Sequence, residues 1–128
     1  MSGVPDRLTV LIGDDQPLIR EALKEVLAAE PDLEVVAVAA DAREAVRLAV
    51  GHEPAVAILD VRMPGGGAWA AGEIRRLSPA TRVMAFSAYG DSHSVDEMRR
   101  VGVCEYLLKG LPNSDIVAAV RRTAARPR

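Results

Sequence analysis

Cysteine is almost missing from this chain: Cys104 is the single one in 128 residues. No disulfide framework can form within it, and the residue reads as a partly buried, small apolar side chain. Aromatic residues make up only 3% of the sequence, too few to supply the stacking partners a bound flavin wants. Apolar stretches such as Val35 to Ala40 fall far short of the roughly 20 residues of a membrane-spanning helix. The opening MSGVPDR lacks the basic segment and apolar core of a secretory signal, so a cytoplasmic location without membrane partners is expected. Neither sign of charge dominates, with a formal net charge of -2. That is not the basic surplus that phosphate backbones require, and no direct nucleic-acid contact is expected.

What is there is a 49% hydrophobic chain with a mean hydropathy of +0.09, enough for one core. Runs rich in Val, Ile and Leu predict strands at Leu8 to Gly13, Leu33 to Ala39, Val56 to Asp60, Arg82 to Ser87 and Glu105 to Lys109. Amphipathic stretches between them predict helices. Pro17 to Ala29 places Leu18, Ala22, Leu23, Val26 and Leu27 on one face; Asp41 caps the next helix, with Glu44 three residues on. Ala68 to Leu77, Ser92 to Arg100 and Ser114 to Ala125 complete the set.

The expected fold is α/β, a (βα)5 chain wound on both faces of a parallel five-stranded sheet, because parallel strands need crossover helices. One domain is expected over 1–128, with its core at about 8–125 and a basic tail or linker stub at 126–128. In such sheets, ligands gather outside the carboxyl ends of the strands. Those ends carry Asp14 and Asp15 after the first strand, Asp60 at the third, Ser87 at the fourth and Lys109 at the fifth.

Three carboxylates at one edge repel one another and call for a cation. Oxygen ligands suit Mg²⁺, whereas zinc and copper would find no cysteine or histidine at these ends. Asp60 then has the chemistry of a carboxylate nucleophile for a phosphoryl group, Lys109 is a compact counter-charge and Ser87 a hydroxyl donor. Each residue alone has an ordinary explanation: a helix N-cap for Asp14 or Asp15, a strand end for Asp60, a turn cap for Ser87, a solvated charge for Lys109. Their joint placement favours one shared site.

Asp14-Asp15, Leu59-Asp60 followed by Met63-Pro64-Gly65, Ser87-Ala88, and Tyr106 followed by Lys109 resemble the motif set of the bacterial response regulator receiver domain, CheY-like, over nearly the whole chain. The opening Asp-Asp-Gln-Pro-Leu-Ile-Arg-Glu-Ala-Leu is similar to the NarL/FixJ-type subgroup, whose receivers often precede a helix-turn-helix domain. The resemblance implies the flavodoxin-like strand order 2-1-3-4-5. It implies a phosphorylation-dependent switch of a two-component system, regulatory and not an enzyme beyond its own modification. Asp60 would accept a phosphoryl group from a sensor histidine kinase, and Asp15, Asp60 and the Arg62 backbone carbonyl would hold Mg²⁺ or Mn²⁺, with Asp14 acting mostly through water. Ser87 and Lys109 would bind the phosphoryl oxygens. Tyr106 would turn inward and change the face of the fourth helix, fifth strand and fifth helix, serving an effector domain, a target protein or a homodimer. An ordinary half-buried tyrosine on an edge strand remains the alternative for Tyr106.

The chain departs from that pattern at two places. Gly110 stands where a proline commonly follows the lysine, and Gly65-Gly66-Gly67 reads as a flexible turn without the phosphate-cradling spacing of other motifs. Arg62 and Tyr89 lie on loops beside the expected site, as shields of the phosphoryl group or as plain solvated side chains. Trp69 is a packing residue or an optical reporter, and His52 and His93 are expected at the surface. Two rivals remain. A phosphatase of the haloacid dehalogenase type would want an acid two residues after Asp60, where Arg62 stands; a phosphate-blind interaction module would not need the full acid set.

Overall fold

Runs and amphipathic stretches alternate strictly in the computed structural model, which describes residues 7–127. The polar start up to Asp6 and the final Arg128 lie outside the described residues. The order is β1 (Leu8–Gly13), α1 (Pro17–Ala28), β2 (Leu33–Ala39), α2 (Ala42–His52), β3 (Val56–Leu59), α3 (Gly67–Leu77), β4 (Arg82–Ser87), α4 (Ser92–Arg100), β5 (Glu105–Leu108) and α5 (Asn113–Ala125). All strand pairs are parallel and the sheet order is β2-β1-β3-β4-β5. The winding reverses between β1 and β3, which opens a crevice at their carboxyl ends. The register aligns Gly13 with Leu59, and Leu59 with Ala85. Asp14 and Asp60 therefore emerge at one level.

Strand alternation splits the core in two. Leu11, Ala57, Leu59, Val83 and Ala85 face α2, α3 and α4, where they meet Ala42, Ala45, Ala49, Ala70, Ala71, Ile74 and Met98. Val10, Ile12, Val56, Ile58, Met84 and Phe86 face α1 and α5, where they meet Leu23, Leu27, Ile116, Val117 and Val120. The first layer is built largely of alanine, so its helices approach the sheet closely. The second is filled by larger side chains.

Two expectations need correction. Leu18 is 85% exposed and Ala22 is also exposed; the inward stripe of α1 runs through Ile19, Leu23, Val26 and Leu27, and Leu18 lies roughly a third of the way round the helix from its centre. Cys104 is exposed, because Val103 takes the inward position at the turn into β5. On α5, Arg121 pairs with Glu30 and Asp32, and Arg122 with Glu105. Boundaries differ by single residues. Asp60 and Lys109 leave their ladders to enter the crevice, each keeping one backbone bond, Asp60 N to Gly13 O at 2.9 Å and Lys109 N to Ser87 O at 2.8 Å. Among the described residues no peptide bond is cis, and no helix is long and apolar enough to cross a membrane.

Candidate functional site

Asp14, Asp15 and Asp60 present carboxylate oxygens that lie within 4.8 Å of one another. Asp14 and Asp60 are buried and Asp15 is exposed. Lys109 Nζ enters from β5 and sits 2.8 Å from Asp14 Oδ2 and 3.4 Å from Asp60 Oδ2. Its ammonium lies over the Phe86 ring, 6.0 Å from the centroid. The lysine is thus nearer to Asp14 than to the expected acceptor. Asp14 Oδ2 is sealed from solvent and meets no donor aligned for a hydrogen bond; the 2.8 Å approach of Lys109 is charge contact without good alignment.

Burial pushes the Asp60 carboxyl above its ordinary range; Lys109 pulls it down, and Asp14 pushes it up again. The upward direction reflects desolvation plus a like charge, partly answered by one ammonium. The Arg62 amide contributes a long bond to Asp60 Oδ1 at 3.4 Å. An acceptor oxygen without an aligned donor, inside a set of hard oxygen ligands, is suited to a small divalent cation and unsuited to a soft metal.

The loop that follows Asp60 takes a shape that depends on its glycines. Gly65 and Gly66 both have φ +89, a region that glycine enters without strain. A Cβ on Gly67 would run into the Asp60 carbonyl oxygen and lie 2.8 Å from Val61 Cα. Gly67 N also donates to Val61 O at 3.0 Å, and Ala42 N to Pro64 O at 2.9 Å. The start of α3 therefore packs against the backbone of Asp60 itself. After Lys109, Gly110 has φ +97, a conformation closed to the proline that otherwise resembles the family pattern.

Ser87 is fully buried, and its Oγ accepts from the Tyr89 amide at 3.1 Å. The Tyr106 hydroxyl donates to the Tyr89 carbonyl, so Tyr89 is held at both backbone groups by two of the expected switch residues. Arg62 stacks on the Tyr89 ring, 4.2 Å from its centroid. The same guanidinium donates to Ser94 Oγ at 3.2 Å and lies 3.7 Å from Asp91. Asp91 caps α4 through the Ser94 amide and hydroxyl, both at 3.0 Å, and these bonds, the amide first, hold its carboxyl below the usual range. Trp69 is 48% exposed and lines an open cleft with Arg62, His93 and Glu97. It fills no core position. His52 and His93 are exposed.

Two residues had no role in the sequence reading. Arg20 donates to the Asp14 carbonyl at 2.8 Å, and Ser94 is buried between Asp91 and Arg62. Only the Asp-x-x-Ser spacing of a helix cap hinted at the second.

Residues 10–121 match the model of the response regulator receiver domain family. NarL of Mycobacterium tuberculosis, which carries the name of a transcriptional regulatory protein, is 38% identical over 91% of this chain and 54% of its own length. The oxygen regulatory protein NreC of Staphylococcus haemolyticus is 34% identical over 89% of this chain and 54% of its own. The chain thus spans about half the length of these curated relatives. The solved signal receiver domain of M. tuberculosis NarL superposes with a TM-score of 0.91 at 37% identity, covering 95% of this chain and all of that one. A LuxR-family response regulator from Aurantimonas gives 0.87 at 30% identity, over 94% of this chain and 86% of its own. With its acids, lysine and serine converging at the switch point of a 2-1-3-4-5 sheet, the chain belongs to the response regulator receiver domain family, as a regulatory domain of the NarL-type subgroup.

Proposed function

We propose that residues 1–128 form one receiver domain, with 126–128 as a tail or linker stub, in which Asp60 is a phosphoacceptor. The supporting observation is the placement of Lys109 between two buried carboxylates, one of them raised in pKa and the other with an oxygen lacking an aligned donor. Asp14, Asp15, Asp60 and the Arg62 backbone carbonyl would hold Mg²⁺, or Mn²⁺ in its place. The ion would supply the positive charge that lets a carboxylate approach phosphoryl oxygens.

An Asp60 carboxylate oxygen attacks phosphorus, and the nitrogen–phosphorus bond of a phosphohistidine on a sensor histidine kinase breaks. The electron pair leaves with the imidazole, and Asp60 becomes an acyl phosphate. Lys109 balances charge on the transferring oxygens, and Ser87 turns its hydroxyl toward them. Positioning and neutralisation are the protein's whole contribution, so the domain catalyses only its own modification. A doubly charged phosphoryl group that draws Ser87 away from the Tyr89 amide loosens the support under Tyr89 and Tyr106. The face of α4, β5 and α5 then changes for an effector domain, a target protein or a second copy in a homodimer, in a cytoplasmic, transcription-regulating pathway.

Incubation of the chain with Mg²⁺ and acetyl phosphate, read by intact mass, tests this. One added phosphoryl group is expected, abolished by chelator and by Asp60→Asn; labelling that survives Asp60→Asn overturns the assignment. As shields of the phosphoryl group against water, Arg62 and its stacking partner Tyr89 would govern the lifetime of the label, so Arg62→Ala and Tyr89→Ala should change it. Unchanged dephosphorylation in both removes their role.

A further inference from the structure

Asp14 is restrained at every polar atom except one. Its amide donates to the Ala39 carbonyl at 3.0 Å, its Oδ1 accepts from the Gln16 amide at 2.9 Å, and its carbonyl accepts from Arg20 NH1 at 2.8 Å. Oδ2 remains, facing Lys109. Asp15 is the opposite case: it is exposed, and among the described residues its carboxylate has no hydrogen bond or ion pair. The turn between β1 and α1 gets little help from the helix, because the N-cap residue Gln16 makes no side-chain capping bond.

Arg20 is half-buried in the first turn of α1. It pairs with no carboxylate among the described residues, and its guanidinium spends its hydrogen bond on a main-chain oxygen. That oxygen belongs to the peptide joining Asp14 to Asp15. A peptide group is planar, so fixing its carbonyl fixes the nitrogen and Cα of the following residue.

We propose that Arg20 is a positioning residue for the cation site: its clamp on the Asp14 carbonyl sets the direction from which the otherwise unrestrained Asp15 carboxylate meets the ion. The proposal rests on the reading above that the acid cluster holds Mg²⁺. A guanidinium bond to a carbonyl is charge-assisted and directional, and the planar head holds an angle that an ammonium does not. Without it, Asp15 must be ordered by the ion itself, at the expense of affinity.

The sign of the effect discriminates. Coulomb repulsion alone would have a nearby guanidinium weaken cation binding, so its removal would tighten binding. A purely structural surface arginine would leave affinity unmoved. The clamp alone predicts weaker binding on removal.

Mg²⁺ titration of the full chain by calorimetry decides it, with circular dichroism and melting in chelator confirming that the variants fold. Arg20→Gln is expected to raise the Mg²⁺ Kd about five- to tenfold, the scale of one charge-assisted hydrogen bond. Arg20→Lys should recover part of the loss. At saturating Mg²⁺ the maximal rate of acetyl phosphate labelling should stay within about twofold of the unaltered chain, since Asp60 and Lys109 are untouched. Unchanged or tighter Mg²⁺ binding in folded Arg20→Gln overturns the clamp alone. Absence of saturable Mg²⁺ binding in the unaltered chain overturns the clamp together with the cation reading beneath it.

Discussion

Lys109 Nζ lies 2.8 Å from Asp14 Oδ2, an oxygen with no solvent contact and no aligned hydrogen-bond donor. The ammonium is itself only 12% exposed in its side chain, so the contact is made in a poorly solvated place where charge is dear to leave unbalanced.

Removal of that ammonium should therefore be felt in stability as well as in chemistry. Lys109→Met is expected to lower unfolding stability by on the order of 3 kcal/mol in chelator, because two buried carboxylates lose their counter-charge. Added Mg²⁺ should recover much of the loss. Urea unfolding with and without Mg²⁺ measures both, and equal stability of the variant and the unaltered chain in chelator would refute the electrostatic account.

Gly67→Ala places a methyl group against the Asp60 carbonyl. The start of α3 must retreat, at roughly 1–3 kcal/mol by the usual penalty for overpacking. Acetyl phosphate labelling should slow with it, since Asp60 is displaced at its own backbone. A labelling rate and melting temperature both equal to those of the unaltered chain would show the loop to be compliant.

Gly110 offers a cleaner backbone test, since a Cβ there meets nothing within 4 Å. Gly110→Ala should lower stability by about 1–2 kcal/mol through the left-handed conformation alone, with Lys109 keeping its place and labelling little changed. Gly110→Pro demands a φ of opposite sign. It should slow labelling more than the alanine does, because the loop that carries Lys109 has to be rebuilt. Equal labelling rates in the two variants would sink that distinction.

Arg121 hydrogen-bonds Asp32 with two contacts at 2.7 and 3.0 Å, and those bonds, outweighing burial, hold the Asp32 carboxyl below its usual range. A depressed folded-state pKa stabilises the fold above the unfolded value and stops doing so as pH falls through the folded one. Arg121→Gln should thus melt slightly lower than the unaltered chain at neutral pH and converge with it in strong acid. Both groups are exposed, so raised salt should shrink the neutral-pH difference. Parallel melting curves across the pH range would show the pair to be inert.

Much of this was legible in the sequence. The five apolar runs fixed the strands because buried parallel strands need unbroken Val, Ile and Leu, and the polar residues at the ends of the first, third, fourth and fifth runs marked the crevice. Asp60, Lys109 and Asp14 converge as their strand ends required. Other features depend on angles that periodicity does not carry. Leu18 satisfied an apolar pattern but falls off the inward stripe of α1. Cys104 yields its inward place to Val103. The glycine run looked slack by composition, although each member answers a distinct demand of dihedral or contact. Arg20 escaped notice because its target is a main-chain oxygen, and no residue type advertises that.

The alanine-built layer beneath α2 and α3 has a consequence for how a signal can spread. Methyl groups possess no alternative rotamers, so the alanine positions of that layer have fewer ways to repack than the larger side chains beneath α1 and α5. On the reading proposed above, a displacement begun at Asp60 would meet less resistance at α4, which buries only Ser94 and Met98.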